Sequence, residues 1–228
     1  MSELSQSRLG APLQASQGSV LGRYKHAGFV TRAFLAARWV ATRYEAMAEL
    51  FPRQGKILDV GCGHGLLSLA LAQGSAARQV HGIDHDTTRI SQATLAAQGV
   101  PNVSFAIGDF SFLENQAGWD AIAMIDVLHY FRYPTQEEIV GNAFKALAPG
   151  GILIFREVDP NAGAVSVINR VHEKVMTTVG ITKAEELHFR SVPEWAELAV
   201  KAGFRVESRP FAHFPFADVI FLCRKASS

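Results

Sequence analysis

The sequence predicts an α/β fold: a doubly wound, mostly parallel sheet with helices on both faces and its last two strands paired antiparallel. Three observations carry that expectation. Residues 56–71, KILDVGCGHGLLSLAL, read as a short buried strand, a turn with three glycines and an apolar helix. Apolar strands and helices with start and stop signals then alternate as far as Gly203. The final strands, 204–207 and 219–223, have only a loop with Pro210 and Pro215 between them, which suits an antiparallel pair.

The elements follow in order. Phe29, Ala33, Ala36, Ala37, Val40, Met47 and Leu50 fall mostly on one helical face, so 23–50 reads as an amphipathic helical lead-in. Ile57, Leu58 and Val60 make the first strand, and the helix behind the glycines begins at Leu66. Residues 80–84 are the second strand. The helix over 87–98 stops at Gly99, with Pro101 just beyond. Strand 103–107 follows, then 119–126, whose near-continuous apolar run fits a strand covered on both faces. Thr135-Gln136-Glu137-Glu138 reads as a capping box opening a helix with Ile139, Ala143, Phe144 and Leu147 inward. Ala148-Pro149-Gly150-Gly151 ends that helix, and 152–155 is the fifth strand. A lid helix is expected over 165–178. A second capping box, Ser191-Val192-Pro193-Glu194, opens a helix through Trp195, Leu198 and Ala199.

The 228 residues suffice for one domain with a sizeable core. The expected division is a loose tail, 1–20, and a single domain, 21–228, in which 21–50 is a helical cap. Lysine and arginine total 22 against 21 acids, a net charge of +1 with no basic run. That balance gives no footprint for nucleic acid. Two cysteines, Cys62 and Cys223, can build neither a disulfide framework nor a four-thiolate zinc site. No metal is expected, and a reducing cytoplasm is the simplest compartment. No apolar run is long enough to span a bilayer.

A glycine turn between strand and helix lets backbone approach a ligand and aims helix N–H groups at it, so a nucleotide-like cofactor is expected. The dinucleotide fingerprint G-x-G-x-x-G, counted from Gly61, needs a glycine at 66; Leu66 stands there, and the glycines are Gly61, Gly63 and Gly65. Cys62 fills a position in the turn that needs a small side chain, and Asp59 is placed to brace it. Asp84 lies one βα unit on, where an acid grips ribose hydroxyls; its alternative is a helix cap, a role Asp86 or Thr87 fills better. His85 suits the adenine face or a solvated turn. At Gly108-Asp109-Phe110, Asp109 can accept from the adenine amino group and the Phe110 N–H can meet a ring nitrogen, unless this is only an Asp turn.

Asp59 to Gly65, then Asp84, Asp109, Asp126 and the LAPGG turn before Ile152 together resemble a class I S-adenosylmethionine (SAM)-dependent methyltransferase, from 56 to 157. The resemblance implies a seven-stranded sheet with the last strand reversed and SAM as methyl donor. Asp126 and its carbonyl neighbourhood, at the fourth strand end, would then face the methionine amino group or the sulfonium. The segments RYKHAGFVTRAFLAARW, IDVLHYF, FREVDP, LHFRS and PFADVIFLC are also similar to methyltransferases of bacterial aryl polyene pathways, which implies a phenolic acceptor. The fourth strand ends IDVLHY, unlike the Asn-Pro-Pro-aromatic run of base-flipping methylases.

A sulfonium methyl is already activated, so the protein has mainly to hold a nucleophile in line with it. A base matters only if that nucleophile must lose a proton. His129, just past the fourth strand, is the candidate; a hydrogen-bonded loop histidine that shapes the pocket is the alternative. Tyr24, Tyr130, Glu157, His172, His188 and Arg190 are candidates for the acceptor side. With Phe29, Trp39, Phe131, Phe189, Phe211, Phe214 and Phe216 they suit a planar or hydrophobic small molecule, free or held on a carrier protein. Homo-oligomerisation stays open. Two other functions are weighed: a non-catalytic or partner-dependent SAM-binding subunit, and an NAD-dependent oxidoreductase.

Overall fold

The strands are β1 Gly55–Val60, β2 Arg78–Asp84, β3 Val103–Ile107, β4 Trp119–Ile125, β5 Leu147–Val158, β6 Arg205–Pro210 and β7 Asp218–Arg224. They form one sheet in the order β3-β2-β1-β4-β5-β7-β6. The first five run parallel, and β7 lies antiparallel between β5 and β6. The order reverses between β1 and β4, which puts the ligand crevice at their carboxyl ends. The structure, a computed structural model, describes residues 19–161, 187–211 and 218–227. Most of the expected tail, the expected lid helix with His172, and Phe214 and Phe216 lie outside these residues.

The helices are α1 Phe29–Thr42, α2 Tyr44–Ala48, α3 Leu66–Gly74, α4 Thr87–Ala96, α5 Tyr133–Ala146 and α6 Val192–Lys201. Short 3₁₀ turns cover Val20–Tyr24, Phe110–Asn115 and Leu128–Tyr130. Two apolar clusters pack against the two faces of the sheet. One joins α3 and the N-terminal helices to Ile57, Val80 and Ala121; the other joins α5 and α6 to Leu58, Ile83 and Ile122. Among the described residues no helix is long and apolar enough to cross a membrane.

Three local expectations fail. β5 already begins at Leu147, so Leu147 belongs to the strand and not to the helix before it, and the Ala148-Pro149-Gly150-Gly151 stretch lies within that strand. The apolar stripe on the lead-in helix faces outward: Phe29, Val30 and Val40 are 84%, 81% and 65% exposed, while Leu35 and Thr42 are buried. The apolar periodicity of 29–50 spans a break between two helices. Arg43 takes a left-handed φ of 53° and ends α1, so Met47 belongs to the inward face of a separate helix, α2. The capping box at Thr135 is also absent. Pro134 sits in the first turn, where its fixed φ and missing N–H are tolerated, and α5 starts at Tyr133. The second box forms: the Glu194 carboxylate accepts from the Ser191 N–H at 2.7 Å.

Candidate active site

The turn after β1 is built by conformations that only glycine adopts readily. Gly61, Gly63 and Gly65 have φ of 74°, 55° and 79°. A Cβ on Gly61 would lie 2.5 Å from Val127, and one on Gly65 2.5 Å from Phe105; at Gly63 it would meet nothing within 4 Å. The outer two glycines therefore pack against neighbours, and the middle one borders open space. Gly61 and Cys62 donate their N–H groups to the Ile83 carbonyl at 2.8 and 3.0 Å.

Two buried acids support this turn. Asp59 accepts from Ser68 Oγ at 2.6 Å, which ties β1 to α3. Burial pushes its carboxyl up to about 6 against the pull of the Ser68 hydrogen bond, with Asp84 adding to the rise. Asp84 accepts from the Gly63 N–H at 2.8 Å and the Asp86 N–H at 2.9 Å. Asp86 caps α4, accepting from Thr88 and Arg89 N–H groups, as its place in the sequence had suggested. Burial, with Asp59 and Asp84 nearby, holds the Cys62 thiol well above its ordinary range, so Cys62 fills space and is not a reactive thiolate.

Tyr24 departs from its expected place on the acceptor side. It is buried, and its hydroxyl donates to the His64 carbonyl, bracing the glycine turn from the N-terminal segment. On the other flank, His85 is exposed beside Asp84, with its Nδ1 3.4 Å from Oδ1. Gly108 donates to the Asp84 carbonyl at 3.1 Å. Asp109 is exposed and forms an Asp turn, its Oδ1 accepting from the Ser111 N–H at 2.9 Å and hydroxyl at 2.6 Å. These bonds hold its carboxyl below the usual range. The Phe110 ring meets Phe131 edge-on at 4.7 Å.

At the end of β4 the carboxylate is already paired with cations of the chain itself. The Asp126 side chain does not stand open to a cationic ligand. Arg156 Nε lies 2.8 Å from Oδ1, Arg156 Nη2 contacts Oδ2, and Arg38 Nη2 lies 3.3 Å from Oδ2. Burial alone would raise the Asp126 carboxyl; the two guanidiniums outweigh it and hold it below the ordinary range. Asp126 also has a φ of 57°, a conformation the sequence does not signal.

Three residues on, His129 is 1% exposed, and its Nδ1 lies 2.6 Å from Oε2 of Glu157, also 1% exposed. The other oxygen of Glu157 accepts from the Leu128 N–H at 2.9 Å. Glu157 thus fixes both the turn and the ring. A neutral imidazole donating from Nδ1 keeps its lone pair on Nε2, the arrangement a general base needs. Tyr130 and Phe189 lie against the His129 ring, with centroids at 4.3 and 5.2 Å.

His188 and Arg190 serve the scaffold of this turn. The His188 N–H donates to the His129 carbonyl at 2.8 Å. Gln136 donates to the carbonyls of Phe131 and His188 at 2.9 and 2.8 Å, and Arg190 donates to Gln136 Oε1 at 2.7 Å. Arg190 also packs over the Tyr133 ring and meets Glu137 at 3.1 Å. Neither Gln136 nor Arg38 was singled out from the sequence. Among the described residues no cluster of histidine, cysteine and acid side chains could hold a metal.

Comparison with known proteins bears directly on this cleft. Residues 57–151 match the family described as a methyltransferase domain. A ubiquinone biosynthesis O-methyltransferase of Coxiella burnetii is 34% identical over 197 residues, covering 81% of this chain and 79% of that protein. The chain belongs to the class I SAM-dependent methyltransferases. A second ubiquinone biosynthesis O-methyltransferase, from Psychrobacter arcticus, is 28% identical over 178 residues; these are 73% of this chain and 65% of that protein. An O-methyltransferase family protein from Burkholderia thailandensis has the same fold, with a TM-score of 0.67 at 23% identity over 90% of this chain and 62% of that one.

The glycine turn fits the SAM after which that family is named. Gly63 presents bare backbone to open space, and the carboxylate of Asp84 borders it. His85, Gly108 and Asp109 extend the same rim along β2 and β3.

Proposed function

We propose that this methyltransferase moves a methyl group to the hydroxyl oxygen of a small phenolic acceptor, with His129 as general base and Glu157 as the carboxylate that orients it. The buried 2.6 Å contact between His129 and Glu157 carries the reading. Bound SAM supplies an electrophilic methyl on a positively charged sulfur. A phenol with pKa about 10 is a poor nucleophile near neutrality. His129 Nε2 takes its proton, and Glu157 stabilises the resulting imidazolium, as an acid does behind a catalytic histidine. In this reading Asp84 grips the ribose, Asp109 and the Phe110 N–H meet the adenine, and Tyr130 and Phe189 help shape the acceptor side.

The ubiquinone O-methyltransferases among the relatives support oxygen as the acceptor atom. The resemblance to aryl polyene enzymes supports an aromatic head group, free or on a carrier protein. Labelled methyl transfer from SAM to a panel of catechols, phenols, thiols and amines tests the proposal. Transfer to phenolic oxygen, lost in His129→Ala with SAM binding kept, is the expected result. Tight SAM binding with no transfer to any acceptor would favour the non-catalytic subunit.

A further inference from the structure

The polar contacts of α1 lead to a residue outside the reaction chemistry. Arg38 and Thr42, one helical turn apart, face the carboxyl end of the sheet. Thr42 Oγ1 accepts from Arg156 at 3.3 Å, and Arg38 reaches Asp126 at 3.3 Å while its Nε donates to the Tyr44 hydroxyl at 3.0 Å. Asp126 is one of two described non-glycine residues with positive φ. Such a conformation is strained for a residue with a side chain and persists only where its surroundings over-determine it. Here Arg156 holds the carboxylate from the sheet side, the Asp126 N–H donates to the Arg156 carbonyl at 3.1 Å, and Arg38 closes the outer side. The chain leaving Asp126 has no slack. Val127 packs on Gly61, Leu128 donates to Glu157, and His129 meets the same carboxylate.

We propose that Arg38 is a positioning residue for His129: through Asp126 the N-terminal helix sets the turn that presents the imidazole to Glu157. Arg156 anchors Asp126 to the sheet, whereas Arg38 makes that anchor depend on how α1 is seated. The inference rests on His129 being the base, and its test is chosen to separate the two.

Arg38→Ala, Arg38→Gln and Arg38→Lys are compared in the full-length chain. Arg38→Ala is expected to lower kcat about 10- to 100-fold, the scale of a small misplacement of a reacting group, with the Kd for SAM within about twofold of the parent. Arg38→Lys keeps the charge and restores much of the rate; Arg38→Gln keeps a donor for Tyr44 but not the rate. Ring-nitrogen chemical shifts of His129, assigned by their loss in His129→Gln, report its tautomer without any acceptor. They should change in Arg38→Ala and return in Arg38→Lys. Unchanged shifts and rate in both Arg38→Ala and Arg38→Gln overturn the proposal, as does a loss of rate matched by an equal loss of SAM binding. If His129→Gln itself transfers methyl normally, the base assignment falls, while the shifts still decide whether Arg38 positions that ring.

Discussion

The two rims of the sheet differ in the side chains that meet the backbone groups left open by the helix ends. At the amino rim, cations and amides serve backbone carbonyls. Arg78, buried, donates to the carbonyls of Pro52, Leu71, Ala48 and Phe51 at 2.7–3.1 Å. The Asn102 amide reaches Ala72, Ser75 and Arg78, and Lys225 reaches Phe144 and Leu147. At the carboxyl rim, acids serve N–H groups: Asp84 for Gly63, Asp86 for α4, Asp109 for Ser111 and Glu157 for Leu128. The direction of the helices explains the difference. Helices that run antiparallel to the strands end at the amino rim with orphan carbonyls and begin at the carboxyl rim with orphan N–H groups. Helix ends therefore favour donors at one rim and acceptors at the other, although Tyr24 and Gln136 also donate to turn carbonyls at the carboxyl rim and Asp120 accepts from Lys56 at the amino rim; the acceptors of the carboxyl rim are the groups that can also grip a cofactor or titrate.

That contrast breaks most visibly if one rim is disabled without the other. Arg78→Ala strips several buried carbonyls of their donor and should lower unfolding free energy by about 3–5 kcal/mol, read in urea denaturation. SAM affinity of the folded fraction should hold. His129→Ala should do the reverse. Methyl transfer falls about 10²- to 10⁴-fold, the range for losing a general base, with SAM affinity little changed. A large loss of SAM binding in Arg78→Ala at a temperature where it is folded would mean the rims are coupled.

The sequence carries the contrast unevenly. The alternation of strands and helices along the chain, the antiparallel pairing of the last two strands and the glycine turn were legible because each rests on local chemistry: apolar runs, positive-φ glycines and stop signals. Asp86 could be told from Asp84 as the cap of α4 because capping depends on spacing of two or three residues. The pairing of His129 with Glu157 was not legible. Both were candidates, but their contact depends on how the turn after β4 folds back over β5, 28 residues away in sequence. The contact of Arg38 with Asp126 is hidden in the sequence for the same reason, the two lying 88 positions apart. The outward stripe of α1 shows the converse failure. Periodicity reports that a helix has an apolar face and is silent on a break such as Arg43.

A smaller effect sharpens the carboxyl rim. Asp84→Ala removes the acceptor for Gly63 and the proposed grip on ribose, so the Kd for SAM should weaken by about 1–3 kcal/mol, the scale for losing a charge-assisted acceptor. Asp84→Asn separates the two roles, since an amide oxygen still accepts from Gly63 but carries no charge. A Kd restored to the parent value by Asn would assign the whole effect to the shape of the turn.

The smallest effect concerns pH. The Asp59 carboxyl is raised in the folded chain to about 6, above its ordinary value near 3.9. Between those values the folded state binds more protons than the unfolded state, so stability contributed by this group is full at low pH and declines as pH rises through about 6. Asp59→Asn keeps the acceptor for Ser68 and has no proton to lose. Its stability relative to the parent should therefore improve by about 2–3 kcal/mol between pH 4 and 7, measured by urea denaturation at each pH. A difference that stays flat across that range would mean that Ser68 and the turn offset the burial of the charge, and that the acceptors of the carboxyl rim carry their charge as easily as the donors of the amino rim.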